Sequence, residues 1–164
     1  MDKLIIIGKE KLSGSINIPG SKNAALPIMV SSLLSEEGLF LKNLPSLQDI
    51  STMKLLLQNF GISNKQKDSA IFFDSHNLKN NVGDYDLVRK MRASILILGP
   101  LIARFNEVKI SLPGGCAIGT RPIDIHLNGL GKLGVNFEIN NGFVTGKVKD
   151  KLVGSKINLP FPSV

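Results

Sequence analysis

The 164-residue chain has no tryptophan, one tyrosine and one cysteine. A lone thiol cannot close an internal disulfide, so an oxidising compartment is not implied. No apolar stretch approaches the ~20 residues that a membrane-spanning helix needs. The opening Met1-Asp-Lys-Leu-Ile-Ile-Ile-Gly8 has too short an apolar run for a signal peptide. The expected setting is the cytoplasm, without a membrane partner. Acidic residues are also scarce: 13 Asp and Glu against 20 Lys and Arg leave a charge of +7, which favours anionic partners. Aromatic residues make up only 5% of the chain and the basic residues form no run. Nucleic acid is therefore the weaker expectation, and small phosphorylated ligands fit better. What is plentiful is apolar: 43% hydrophobic against 20% charged residues can bury a core of ordinary size. The length fits one domain or the front part of a larger protein.

The apolar pattern divides the chain into a unit that repeats. Residues 3–7 and 15–18 read as strands. After Pro19-Gly20, Ser21 is placed to cap a helix marked by Leu26, Met29, Val30, Leu33 and Leu34. Pro27 lies inside that pattern and predicts a late start or a kink. A short strand at 39–41 follows, then a helix with Ile50, Met53, Leu57 and Phe60 on one face and Gly61 as its C-terminal cap. Residues 62–64 and 70–73 form a hairpin around 65–68, and 74–86 is polar loop. The cycle then starts again. Met91, Ile95, Leu98 and Ile102 line a helix interrupted by Pro100, 108–112 is a strand, and Ile123, Leu127 and Leu130 line a helix closed by Gly134. A second hairpin, 135–139 and 143–148, turns at Asn140-Asn141-Gly142. Gly61 and Gly134 fall 73 residues apart, Lys22 and Arg92 fall 70 apart, and the Lys11–Pro19 motif returns at Lys151–Pro160. This predicts an α/β fold of roughly 70-residue units, with a third begun at 151–164. The chain reads as a fragment.

Chemistry concentrates in Ser111-Leu-Pro-Gly-Gly-Cys-Ala-Ile-Gly-Thr-Arg-Pro-Ile-Asp-Ile-His126. Three glycines surround Cys116, which lies outside any apolar periodicity with Arg121 nearby, and a thiol near cations is the reactive kind. A lone cysteine is more often an inert core residue. Asp124 and His126 lack a third partner for a metal site, and His76 lies in an unrelated loop.

Four motifs carry a resemblance: Gly20-Ser-Lys-Asn-Ala-Ala-Leu-Pro27, Met91-Arg-Ala-Ser94, Leu112–His126 and Phe161-Pro-Ser-Val164. At these spacings the whole chain resembles the UDP-N-acetylglucosamine enolpyruvyl transferases. One glycine-rich loop alone would be weak; four motifs in order are not. The resemblance implies repeated βαβαββ units forming an inside-out α/β barrel domain, here incomplete. Residues 1–20 would be strands of the second domain. Residues 21–164 would be the first domain, with units at about 21–90 and 91–150 and the start of a third at 151–164.

The resemblance also implies the reaction: transfer of the enolpyruvyl group of phosphoenolpyruvate to the 3′-hydroxyl of UDP-N-acetylglucosamine, releasing phosphate, in the first committed step of peptidoglycan synthesis. Cys116 would be the proton donor and the residue alkylated by the inhibitor fosfomycin. Lys22 would contact phosphoenolpyruvate, Asn23 and Arg92 the sugar nucleotide, and Arg121 the phosphoenolpyruvate side. Pro122, Ile123, Asp124, Ile125 and His126 would surround the uridine, with Ser163 and Val164. Phe161 stands where some relatives carry Lys. No metal or organic cofactor is implied. Two alternatives stand: the related enolpyruvylshikimate phosphate synthase, expected to lack this cysteine loop, and a non-catalytic fragment that at most binds sugar nucleotide. Because the family's other catalytic groups would lie beyond Val164, the 164 residues alone are expected to show no transferase activity.

Overall fold

A computed structural model describes residues 3–8, 11–114 and 123–160. Two three-stranded antiparallel sheets organise it. In the first, β1 (Leu39–Lys42) and β2 (Ser63–Lys67) flank β3 (Ala70–Asp74), in the order β1-β3-β2. In the second, β4 (Glu107–Ser111) and β5 (Val135–Asn140) flank β6 (Phe143–Val148), in the order β4-β6-β5. The predicted repeat is thus present in three dimensions, down to its punctuation. Gly61 and Gly134 take φ of 98° and 102°, and Asp68 and Asn141 both take 53°. Each pair is 73 residues apart. Left-handed backbone disfavours a side chain, so glycine ends the helix in each unit and Asp or Asn turns each hairpin.

Helix α2 (Gln48–Asn59) shows why that ending is stable. The Gly61 N–H donates to the Gln58 carbonyl at 2.9 Å and the Ile62 N–H to that of Leu57 at 3.1 Å. Leu57 and Ile62 are both fully buried, so the cap carries its own apolar contact. Helix α5 (Asp124–Lys132) ends the same way, with Gly134 N–H on the Gly131 carbonyl at 3.0 Å.

The two units differ in their first helices. Helix α1 (Lys22–Val30) starts at Lys22 and runs through Pro27, then tightens into a 3-10 turn over Ser31–Leu34. The expected late start does not occur; Pro27 withholds only the bond to the Asn23 carbonyl four residues back. Ser21 occupies the cap position, but its side chain makes no capping bond. In the second unit the order reverses. A 3-10 turn over Arg92–Ile97 precedes α4 (Leu98–Phe105). Pro100 then falls in the first turn of α4, where no intrahelical N–H bond is required. A short helix, α3 (Tyr85–Arg89), replaces the end of the expected polar loop, with Asp84 accepting from the Leu87 N–H at 2.9 Å.

One hydrophobic cluster spans both units and runs from Met29 and Leu33 through Met53, Leu57 and Phe60 to Leu101, Ile102, Val108 and Val144. The predicted strands at 3–7 and 15–18 are not formed. Residues 3–8 and 11–19 have no regular structure and leave Leu4, Ile7, Leu12 and Ile16 almost fully exposed. A strand needs a partner for its backbone groups, and none is present among the described residues. Residues 151–160, expected to begin a third unit, behave alike: they are exposed throughout, and the Val153 N–H donates to the carbonyl of Leu133, just past α5, at 2.9 Å.

Candidate functional site

A cleft of about 410 Å³ opens where the two units meet, lined by Lys22, Asn23, Asp49, Lys90, Arg92 and His126 above an apolar floor of Leu26, Met91, Ile95 and Leu96. The repeat explains the convergence. Lys22 and Arg92, aligned in sequence, are each the first residue of a helical segment, α1 and the 3-10 turn before α4. His126 comes from the first turn of α5 and Asp49 from the first turn of α2. Segment starts carry free N–H groups and a partial positive charge, which attract anions. Neither Ser21 nor Met91 caps its segment with a side-chain bond, so those N–H groups add to three basic side chains and one histidine.

Asp49, the only carboxylate of the cleft among the described residues, pairs with Lys22 at 2.8 Å. Their side chains are 44% and 36% exposed. A pair this open to water contributes at most about 1 kcal/mol to stability, so its importance is where it puts the ammonium. Sequence reasoning missed Asp49 and Lys90. Asp49 reads locally as an acidic residue in a helix's first turn, and only the packing of α1 on α2 brings it to Lys22.

The structure brings together Lys22, Asn23, Arg92 and His126 of the expected site. Asp124 and Ile125 instead line a separate cavity of about 60 Å³ with Asn128 and the 157–160 segment, while Ile123 packs against the core. Cys116, Arg121, Pro122, Phe161, Ser163 and Val164 lie outside the described residues. Both approaches to the cysteine stretch are described, however. Gly114 presses against the chain at the end of α3, where a Cβ would come within 2.5 Å of the Arg89 carbonyl oxygen. Only glycine permits that approach, and Lys90, the next residue, lines the cleft. On the other side Ile123 leads into α5 and His126. The described residues that flank the stretch thus lie close in sequence or space to two cleft residues: Gly114 packs beside Lys90 and Ile123 precedes His126 by three positions. No cluster of three metal-ligating side chains occurs among the described residues, and no helix there is long and apolar enough to cross a membrane.

The sequence profile of the EPSP synthase (3-phosphoshikimate 1-carboxyvinyltransferase) family matches residues 6–164, and the chain belongs to that family. Among solved structures the fold is similar to the enolpyruvyl transferase NikO from Streptomyces tendae, with a TM-score of 0.74 and 17% identity over 88% of this chain and 32% of that one. It is also similar to an EPSP synthase from Acinetobacter baumannii, at 0.69 and 18% over 92% and 35%. The expected partial enolpyruvyl-transferase fold is thereby established. The curated relatives are more specific. The chain is 48% identical to a UDP-N-acetylglucosamine 1-carboxyvinyltransferase of Campylobacter fetus, over 96% of this chain and 38% of that protein. It is 48% identical to the protein of that name from Granulibacter bethesdensis, over 100% and 40%. The chain thus spans about two fifths of the length of these relatives.

Proposed function

We propose that this chain is part of a UDP-N-acetylglucosamine 1-carboxyvinyltransferase and forms the half of its active site that receives the two anionic substrates. The observation that carries this reading is the meeting of Lys22, Asn23, Arg92 and His126 in one cationic cleft. In the reaction, the sugar 3′-hydroxyl adds to C2 of phosphoenolpyruvate and loses its proton, while C3 gains one. Phosphate and a C3 proton then leave, restoring the double bond in the product. Lys22 and Arg121 hold phosphoenolpyruvate; Asn23 and Arg92 hold the sugar nucleotide; Cys116 supplies the proton. Arg suits such groups because its planar fork grips carboxylate or phosphate through two bonds. The work of this half is positioning and acid catalysis.

Pro122, Ile123, Asp124, Ile125 and His126, with Ser163 and Val164, surround the uridine. The packing of 157–160 beside Asp124 and Ile125 supports that grouping, since Ser163 follows closely in the chain. Residues 1–20 belong to a second domain and 151–164 begin a third unit, in keeping with the exposure of the described residues 3–8, 11–19 and 151–160. The enzyme acts in the cytoplasm, at the entry to peptidoglycan synthesis. The level of identity to its named relatives favours this substrate over shikimate phosphate.

Intact mass after fosfomycin treatment, with and without UDP-N-acetylglucosamine, tests the reading. One adduct on Cys116, formed faster with the nucleotide, supports a working half-site. No adduct, with a general thiol reagent still reacting, reduces this chain to a fragment that needs the rest of the enzyme.

A further inference from the structure

We infer that Asp49 is a positioning residue, holding the Lys22 ammonium where the cleft meets an anionic group of its ligand. The inference rests on the functional reading above for the identity of that ligand. Lys22 is the first residue of α1, where the helix's own N–H groups repel a cation. Its four-carbon stem is flexible and, left alone, would swing into water. Asp49 opposes both tendencies at 2.8 Å. Its own place in the first turn of α2 is one where a carboxylate is favoured. Among the described residues Lys90, Arg92 and His126 have no carboxylate partner, so Lys22 alone of the cleft's cations is held in place by an acid.

This makes a prediction opposite in sign to simple electrostatics. Removing a carboxylate from a cationic cleft should tighten anion binding by Coulomb's law alone. If Asp49 acts by placing Lys22, Asp49→Asn should instead weaken binding, by about fivefold, toward the lower end of the range for coupled neighbours. Phosphoenolpyruvate binding to the 164-residue chain, measured by calorimetry at fixed ionic strength, decides between them. The expected result is weaker binding in Asp49→Asn, partial recovery in Asp49→Glu, and no further loss when Asp49→Asn is added to Lys22→Gln. Tighter or unchanged binding in Asp49→Asn overturns the inference, as does an additive double variant. Unfolding midpoints confirm that each variant is folded. The Lys22 ammonium resonance in a ¹⁵N spectrum without ligand supplies an independent reading: it should move in Asp49→Asn, and an unmoved signal overturns the inference. A wild-type chain that ignores phosphoenolpyruvate while its Lys22 signal still responds to Asp49→Asn would sink the functional reading and leave the pairing intact.

Discussion

The two units share a sheet order and a pair of left-handed turns, yet they differ where β1 and β4 hand over to the following helix. In the first unit that connection is 43–47, five residues with a buried proline, Pro45. In the second it is 112–123, twelve residues that include Cys116. A second difference accompanies it. Helix α2 buries five residues, Ile50, Thr52, Met53, Leu56 and Leu57, whereas α5 buries none. The scaffold repeats; the longer connection, with its thiol, belongs to the copy whose helix is the less buried. Loops tolerate such extension because the added closure entropy grows slowly with length, and β4 on one side and α5 on the other still fix the ends.

The comparison can be broken most decisively at Cys116. Cys116→Ala should abolish the fosfomycin adduct entirely while leaving the unfolding midpoint in place, read by intact mass and thermal denaturation. A retained adduct would move the reactive group elsewhere. The aligned leucines should differ next. Leu57 is fully buried in α2, so Leu57→Ala should cost about 2–5 kcal/mol. Its counterpart Leu130 is only partly buried, and Leu130→Ala should cost about 1 kcal/mol. Equal losses in chemical denaturation would mean that α5 is packed as tightly as α2.

The paired glycines should separate by a smaller margin. Both positions impose the left-handed cost of about 1–2 kcal/mol on alanine. A Cβ at Gly61 would also run into the Asn77 carbonyl, whereas at Gly134 the nearest atom, the Lys151 carbonyl oxygen, stands 3.1 Å away. Gly61→Ala should therefore be the more damaging.

The smallest effect concerns acid. His76, hydrogen-bonded to Asp74 through both its ring and its backbone N–H, holds that carboxyl below its ordinary value. A depressed carboxyl stabilises the fold above its unfolded pKa, and that contribution fades as pH falls through the folded one. His76→Ala should raise the Asp74 titration midpoint and leave the second unit's titrations unmoved, by NMR.

Periodicity made α2, both hairpins and the repeat itself legible, because each buries one face and ends on a residue that tolerates positive φ. It failed where the chain has no period to offer. The five residues of α3 are too few, and the 3-10 turn over Arg92–Ile97 has a different rise from the α-helix expected there. The polar Lys65-Gln66-Lys67 read as a turn, yet it continues β2 on an exposed edge, and the turn is made at Asp68. Of the site, Lys22, Asn23, Arg92 and His126 were recognisable by their motifs, whereas Asp49 and Lys90 belong to it only through tertiary contact. The roles of Asp124 and Ile125 were expected beside His126, and the structure faces them into a different cavity.

Each sheet is closed by neighbouring chain, β1 to β3 within residues 39–74 and β4 to β6 within 107–148. Among the described residues no strand of one sheet hydrogen-bonds to a strand of the other. In kinetic terms only the β2–β3 and β5–β6 hairpins close short loops. Pairing β1 with β3 or β4 with β6 must also close the segment that holds α2 or α5, so each hairpin is expected to form before its third strand docks. On the ribosome the first sheet can pair as soon as Asp74 has emerged, before the cysteine stretch has been translated. Residues 112–123 then follow a first unit that is already partly assembled, its Lys22–Asp49 pair included.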